Sequence, residues 1–163
     1  MLLYNHKKIR KAVIMYFGIG IENGKTVENL GLLWRSAENF GAGFIFTAGA
    51  RYKKHITDIY NSFQRIPLYN YKDAEDLYAH LPYSCRLIGV ENSEGASDLR
   101  EYRHLNRAVY LLGAEDCGIS KKAAALCHEI IKIPCKKGCF NVSIAAGIIM
   151  YDRILKLSPG VQA

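Results

Sequence analysis

Short apolar runs with no polar face alternate along this chain with stretches whose apolar residues recur every three or four positions, and this alternation limits the fold more than any other feature. The runs are Ala12 to Phe17 (AVIMYF), Phe44 to Ala48 (FIFTA), Ile66 to Tyr69, Arg86 to Val90 (RLIGV), Ala108 to Leu112 (AVYLL) and Ile130 to Ile133, and each reads as a strand. Between them, Leu30, Leu33, Trp34, Ala37 and Phe40 make one apolar helix face that begins at Thr26 and is punctuated by Gly41 and Gly43. Asp73 to His80 reads as a second helix, Lys121 to Cys127 as a third capped by Ser120, and Asn141 to Leu155 as a long closing helix. Strands that are apolar on both faces must be covered on both sides. The expected fold class is therefore α/β, a mainly parallel sheet with helices on both faces.

A chain of 163 residues that is 50% apolar and 23% charged can bury a core of its own, which excludes a disordered tail and a small disulfide-stapled scaffold. One unit over 1–163 is expected, with 1–11 a loosely docked basic arm carrying His6, Lys7, Lys8, Arg10 and Lys11. The formal charge of +7 favours a polyanionic partner. Five cysteines, an odd number with no CxxC pair and no secretory leader before them, suit a reducing cytoplasm. Cys127, His128, Cys135 and Cys139 match no common zinc spacing, so no metal is expected. No stretch approaches the roughly 20 apolar residues of a membrane span, so no membrane partner is expected either.

Three constellations are candidates for chemistry. The first, Asn29-Leu-Gly-Leu-Leu-Trp-Arg35-Ser-Ala-Glu-Asn39-Phe-Gly41, puts Asn29 on a helix's opening turn and Arg35 nearly two turns further along. By pattern alone it is also an ordinary amphipathic helix with a solvated arginine. In the second, the strand Tyr110-Leu-Leu112 runs into Gly113-Ala-Glu115-Asp-Cys-Gly118-Ile-Ser120, where a glycine at a strand end lets a ligand approach the backbone and Glu115 stands at the rim. A polar strand-to-helix turn has the same composition. The third, Ile131-Lys-Ile133-Pro-Cys-Lys-Lys-Gly138-Cys139-Phe140-Asn141-Val-Ser143-Ile-Ala145-Ala146-Gly147, joins a strand through a basic loop to a helix that Asn141 can cap. Close helix-on-sheet packing accounts for its small residues equally well. Gly18, Gly20 and Gly24 read as a turn-rich loop after the first strand, and their GxGxxxG spacing is not that of a dinucleotide site.

In this order, the three motifs resemble those of the SpoU/TrmH family of RNA methyltransferases, in the SPOUT superfamily, from about Ala12 to Leu155. The resemblance implies a C-terminal deep trefoil knot and the cofactor S-adenosyl-L-methionine, held at Val90, Leu112, Gly113, Ile133, Cys139 and Phe140. It implies methyl transfer to a ribose 2′-hydroxyl, with Arg35 and Asn29 as catalytic residues and Glu115 and Asn141 in support. A guanidinium is a poor proton acceptor at neutral pH, so Arg35 is expected to orient the hydroxyl and stabilise developing alkoxide charge.

The chain departs from the family pattern at Cys139-Phe140-Asn141, where Ser-Leu-Asn is usual; a thiol is a weaker hydrogen-bond partner than a hydroxyl, and Cys139 suffices if the position contacts the donor through its backbone. Cys139 as a nucleophile lacks an activating partner in the sequence. The resemblance further implies a homodimer, with Ser143, Ala145, Ala146 and Gly147 letting a second closing helix approach. RNA is the expected partner, transfer RNA ahead of ribosomal RNA, docked by Arg51, Lys53 and Lys54. The alternatives are a non-catalytic RNA-binding protein of the same fold and a nucleotide-dependent enzyme acting on a small molecule.

Overall fold

The structure is a computed structural model that describes residues 15–50 and 65–157. The arm 1–11, the first residues of the Ala12–Phe17 run and the basic residues Arg51, Lys53 and Lys54 lie outside the described residues. In chain order the elements are β1 (Tyr16–Glu22), α1 (Val27–Asn39), β2 (Phe44–Ala48), β3 (Leu68–Tyr71), α2 (Ala74–Ala79), β4 (Arg86–Val90), β5 (Ser97–Asp98), β6 (Arg107–Leu112), α3 (Lys121–Leu126), β7 (Glu129–Lys132) and α4 (Val142–Leu157). The described strands form one sheet in the order β3-β2-β1-β6-β4-β7-β5, and every pairing between them is parallel.

Alternation along each strand divides the core in two. Phe17, Ile19 and Ile21 of β1, with Ala108, Tyr110 and Leu112 of β6, face α1 and α4. Phe44 and Phe46 of β2, with Val109 and Leu111 of β6, face α2 and α3 through Leu77 and Ala123. Helices therefore cover both faces, as two-sided apolar strands require. Two short helices start where their caps dictate: the Asp73 carboxylate accepts from Asp76 N at 2.8 Å, and Ser120 Oγ accepts from Ala123 N at 3.1 Å.

Two expectations are corrected. The first strand runs on past Phe17, so Gly18 and Gly20 lie inside β1 and not in a loop. They are there because β2 packs its rings into the space a side chain would take: a Cβ on Gly18 would stand 2.2 Å from Phe44 Cζ, and one on Gly20 2.2 Å from the Phe46 carbonyl oxygen. On α4, Ser143 and Ala146 are buried within their own chain, and Ala145 packs against the core. Ser143 and Ala146 thus let α4 pack closely on its own chain and are not available to a second molecule, whereas Gly147 has open space where a Cβ would stand.

Candidate active site

Because the sheet is parallel, the C-terminal ends of β1, β4, β6 and β7 open on one edge. From neighbouring strands β1 and β6 the chain leaves in opposite directions, by α1 to β2 and by α3 to β7, which makes a crevice between them. Here α1 begins, the 113–118 loop turns and α4 starts.

The 113–118 loop is drawn tight. Gly118 lies at φ +63°, and a Cβ on Gly113 would stand 1.9 Å from the Gly118 carbonyl carbon. Two carboxylates brace it. Glu91, directly after β4, accepts from Ile119 N at 2.9 Å, and Glu22, the buried last residue of β1, accepts from both Ser120 N and Ser120 Oγ at 2.7 Å. Glu22 thereby holds the N-terminus of α3, where a negative charge is favoured.

Four side chains then meet at the crevice. Asn141 is the N-cap of α4: its Oδ1 accepts from Ser143 N at 3.0 Å and Ile144 N at 3.4 Å. Its amide donates to Asn29 Oδ1 at 3.0 Å and, by a short bond, to Glu115 Oε1. Asn29 Nδ2 lies 3.4 Å from the same Glu115 oxygen, and Ser143 Oγ donates to the Asn29 carbonyl at 2.8 Å. Three distant segments are thus held in one geometry, with both the oxygen and the nitrogen of the Asn141 amide engaged. Arg35 stands exposed on α1 beyond this cluster, with its carbonyl accepting from Asn39 Nδ2 at 3.0 Å.

An open cleft enclosing about 640 Å³, its solvent-filled mouth included, lies beside the cluster. Val90, Leu112, Gly113, Ile133, Cys139 and Phe140 all line it, together with Glu91, Glu115 and Ala145. A second cleft of about 500 Å³ is lined by Ile21, Lys25, Thr26, Asn29 and Asp116 and shares Ala114, Glu115 and Val142 with the first. Lys25 Nζ pairs with Asp116 Oδ2 at 2.7 Å on its wall. Among the described residues, no group of three or more His, Cys, Asp and Glu is placed to hold a metal ion, and no helix is long and apolar enough to cross a membrane.

The structure therefore brings Asn29, Glu115 and Asn141 together and gathers all six residues named for the methyl donor on one cleft; Arg35 is not among the lining residues of either cleft and lies six residues beyond Asn29 on α1. Glu22 and Glu91 are site residues that the sequence reading does not single out, and Ser143 is one that it reads only as a small residue of the closing helix. The signal for the first two is a carboxylate closing an apolar strand run, IGIE and RLIGVE. For Ser143 the only cue is its place two residues after a capping asparagine.

The model of the SpoU rRNA Methylase family matches residues 17–151. A tRNA (guanosine(18)-2′-O)-methyltransferase of Escherichia coli K12 is 26% identical over 129 residues, covering 76% of this chain and 56% of the relative. This chain thus spans little more than half of that relative's length. The corresponding Thermus thermophilus protein is 39% identical over 61 residues, 36% of this chain and 31% of the relative. A protein solved in a study of 2-OH methylation of C/U34 on tRNA superposes with a TM-score of 0.78 at 17% identity, over 88% of this chain and 97% of that one. AviRb of Streptomyces viridochromogenes, described as a SpoU methyltransferase in complex with AdoMet, superposes with a TM-score of 0.75 at 21% identity, over 86% and 57%.

Proposed function

Because the chain belongs to the SpoU rRNA methylase family, we propose that it transfers a methyl group from S-adenosylmethionine to a ribose 2′-hydroxyl of RNA. The observation that carries this reading is the sharing of Glu115 and Val142 by two adjoining clefts, with Asn29 on the second. A donor in one and a nucleotide in the other meet at that wall, and proximity of this kind supplies much of the rate of a displacement.

The first cleft suits the donor chemically. Val90, Leu112, Ile133, Phe140 and Ala145 offer an apolar wall to an adenine, and the Glu115 carboxylate offers charge to a sulfonium. When bound, S-adenosylmethionine supplies the electrophilic methyl; the rest of the chemistry falls to this chain. Asn29, Glu115 and Asn141 fix the wall against which the hydroxyl is presented. Arg35, further along the same helix as Asn29, orients that hydroxyl and its neighbouring phosphate and stabilises the charge that grows on oxygen. On the second cleft Lys25, on turning from Asp116, offers a cation to the nucleotide's phosphate, and Ile21, Ala114 and Val142 form an apolar floor.

Transfer RNA is the substrate class we favour over ribosomal RNA, in line with the relatives named as tRNA methyltransferases. Arg51, Lys53 and Lys54 are its candidate docking residues, in the cytoplasm. We read 1–163 as one methyltransferase unit acting as a homodimer, supported by apolar side chains exposed along α4. Strand β6 lies between β1 and β4, and the chain returns through β7 to a helix packed on α1, in keeping with a C-terminal trefoil knot.

The test is transfer of labelled methyl from S-adenosylmethionine to unmodified transfer and ribosomal RNA, with the product mapped for 2′-O-methyl ribose. Wild type is expected to label one RNA, and Arg35→Ala to lose about 10²-fold or more in rate. A folded protein that binds the donor and labels neither RNA would overturn this reading in favour of a non-catalytic RNA-binding protein of the same fold, which a direct RNA-binding measurement would then check.

A further inference from the structure

The loop between β7 and α4 carries two thiols on the donor cleft. Cys135 and Cys139 both line it, and both are free. Between them the chain turns back through Gly138 at φ +70°, a left-handed position where a Cβ would meet nothing within 4 Å. The turn directs Cys135 Sγ at the Gly138 carbonyl oxygen, 3.0 Å away. In a trans peptide that oxygen is about 3 Å from the next Cα, so the Cys135 sulfur lies within about 6 Å of the Cys139 Cα. A disulfide needs this distance shortened by only about 1–2 Å, within reach of side-chain rotation and a small bend at the glycine.

We propose that Cys135 and Cys139 are an oxidisable pair, closing to a disulfide that switches off the donor cleft. In the forward step each sulfur gives up its proton and the pair gives up two electrons. A small-molecule disulfide takes both and leaves as two thiols, by way of a mixed disulfide on one of the cysteines. A dithiol reverses it.

Closure reaches the site by two routes. It removes the Cys135 contact with Gly138 and draws Cys139 toward Cys135, changing the wall that Cys139 and Phe140 form. It also pulls on Asn141, two residues on, which caps α4 and joins Asn29 to Glu115. The other thiols are poorly matched to this role. Burial pushes the Cys127 thiol up to about 12, helped by Glu22, and raises Cys85 as well, so neither forms thiolate readily. Cys117 is exposed but does not line the cleft.

This inference rests on reading the first cleft as the donor site, and its test separates the two. The full chain is equilibrated with oxidised and reduced glutathione at fixed ratios, and the linkage is located by peptide mapping under non-reducing conditions. S-adenosylmethionine binding is then measured by calorimetry before and after dithiothreitol. A mapped Cys135–Cys139 bond that weakens donor binding at least 10-fold, is reversed by dithiothreitol and is absent in Cys135→Ser and Cys139→Ser is the expected result. No such linkage under oxidising conditions, or a linkage that leaves donor affinity unchanged, overturns the proposal. If the reduced protein does not bind S-adenosylmethionine, the donor reading fails. The switch then stands or falls on whether the linkage moves the amide resonances of Leu112, Gly113 and Phe140.

Discussion

Asn141 serves two purposes through opposite ends of one amide. Its oxygen caps α4 and its nitrogen ties Asn29 to Glu115, so a substitution can separate stability from chemistry. Serine caps a helix about as well as asparagine, whereas alanine at an N-cap costs about 1 kcal/mol. The Ser hydroxyl is too short to cap the helix and reach both Asn29 and Glu115. Asn141→Ser is therefore expected to melt close to wild type and Asn141→Ala lower, while both transfer methyl groups about 10²-fold more slowly. Denaturant melts and single-turnover rates check the two halves separately. Wild-type activity in Asn141→Ser would reduce the residue to a helix cap.

Among the elements, β2 and β4 run over the residues their apolar patterns mark, and α3 starts at its Ser120 cap. β1 extends beyond its apolar run because glycine reads as loop chemistry until the rings of Phe44 and Phe46 are known to need the space. β5 has two residues, too few to carry a period, and is held only by its pairing with β7. The site was legible only in part. The cleft-lining residues came from the resemblance of three motifs, since no periodicity says that Val90 and Phe140, fifty residues apart, share a wall. Partners such as Glu22 and Ser143 are fixed by tertiary contact, which a single sequence does not record. Two glycines test the packing argument. Gly20→Ala sets a methyl against the Phe46 backbone and is expected to abolish folding, whereas Gly147→Ala, with open space at its Cβ on helix α4, should stabilise by about 0.5–1 kcal/mol. Soluble yield and melting midpoints decide; a stable Gly20→Ala protein would mean β2 can withdraw from β1.

At the scale of the whole molecule, α4 carries predictions about both acid stability and the proposed dimer. Its inner face pins His104, whose ring is shut off from solvent with Nδ1 2.6 Å from the Tyr110 hydroxyl and Nε2 2.9 Å from Asp152 Oδ2. Arg153 donates to the same hydroxyl at 3.1 Å, so the tyrosine proton points to Nδ1 and the ring is neutral, giving Nε2–H to Asp152. Burial holds the His104 pKa below the ordinary histidine value, with Arg153 and Lys156 adding to it against the pull of Asp152. The unfolded chain, protonating near pH 6.5, takes up the proton first. Stability from this site is thus complete above about pH 6.5 and is lost as pH falls through the lower folded value. Melting temperatures are expected to drop between pH 6.5 and 5 less steeply in His104→Gln than in wild type, and equal slopes would clear His104. The outer face of α4 carries Ile144, Tyr151 and Leu155 at 57%, 60% and 41% exposure, with Ile148 between them at helical spacing and Ile154 alongside. Such a stripe is costly in water, and a second copy of α4 is its expected cover. Wild type should sediment as a dimer at micromolar concentration and melt higher as the protein is concentrated. Tyr151→Glu with Leu155→Glu places charge on this surface without touching the buried Ser143, Ala146, Ile149 and Met150, so a folded monomer is expected. A wild type that stays monomeric, or a double variant that still dimerises, would put the interface elsewhere.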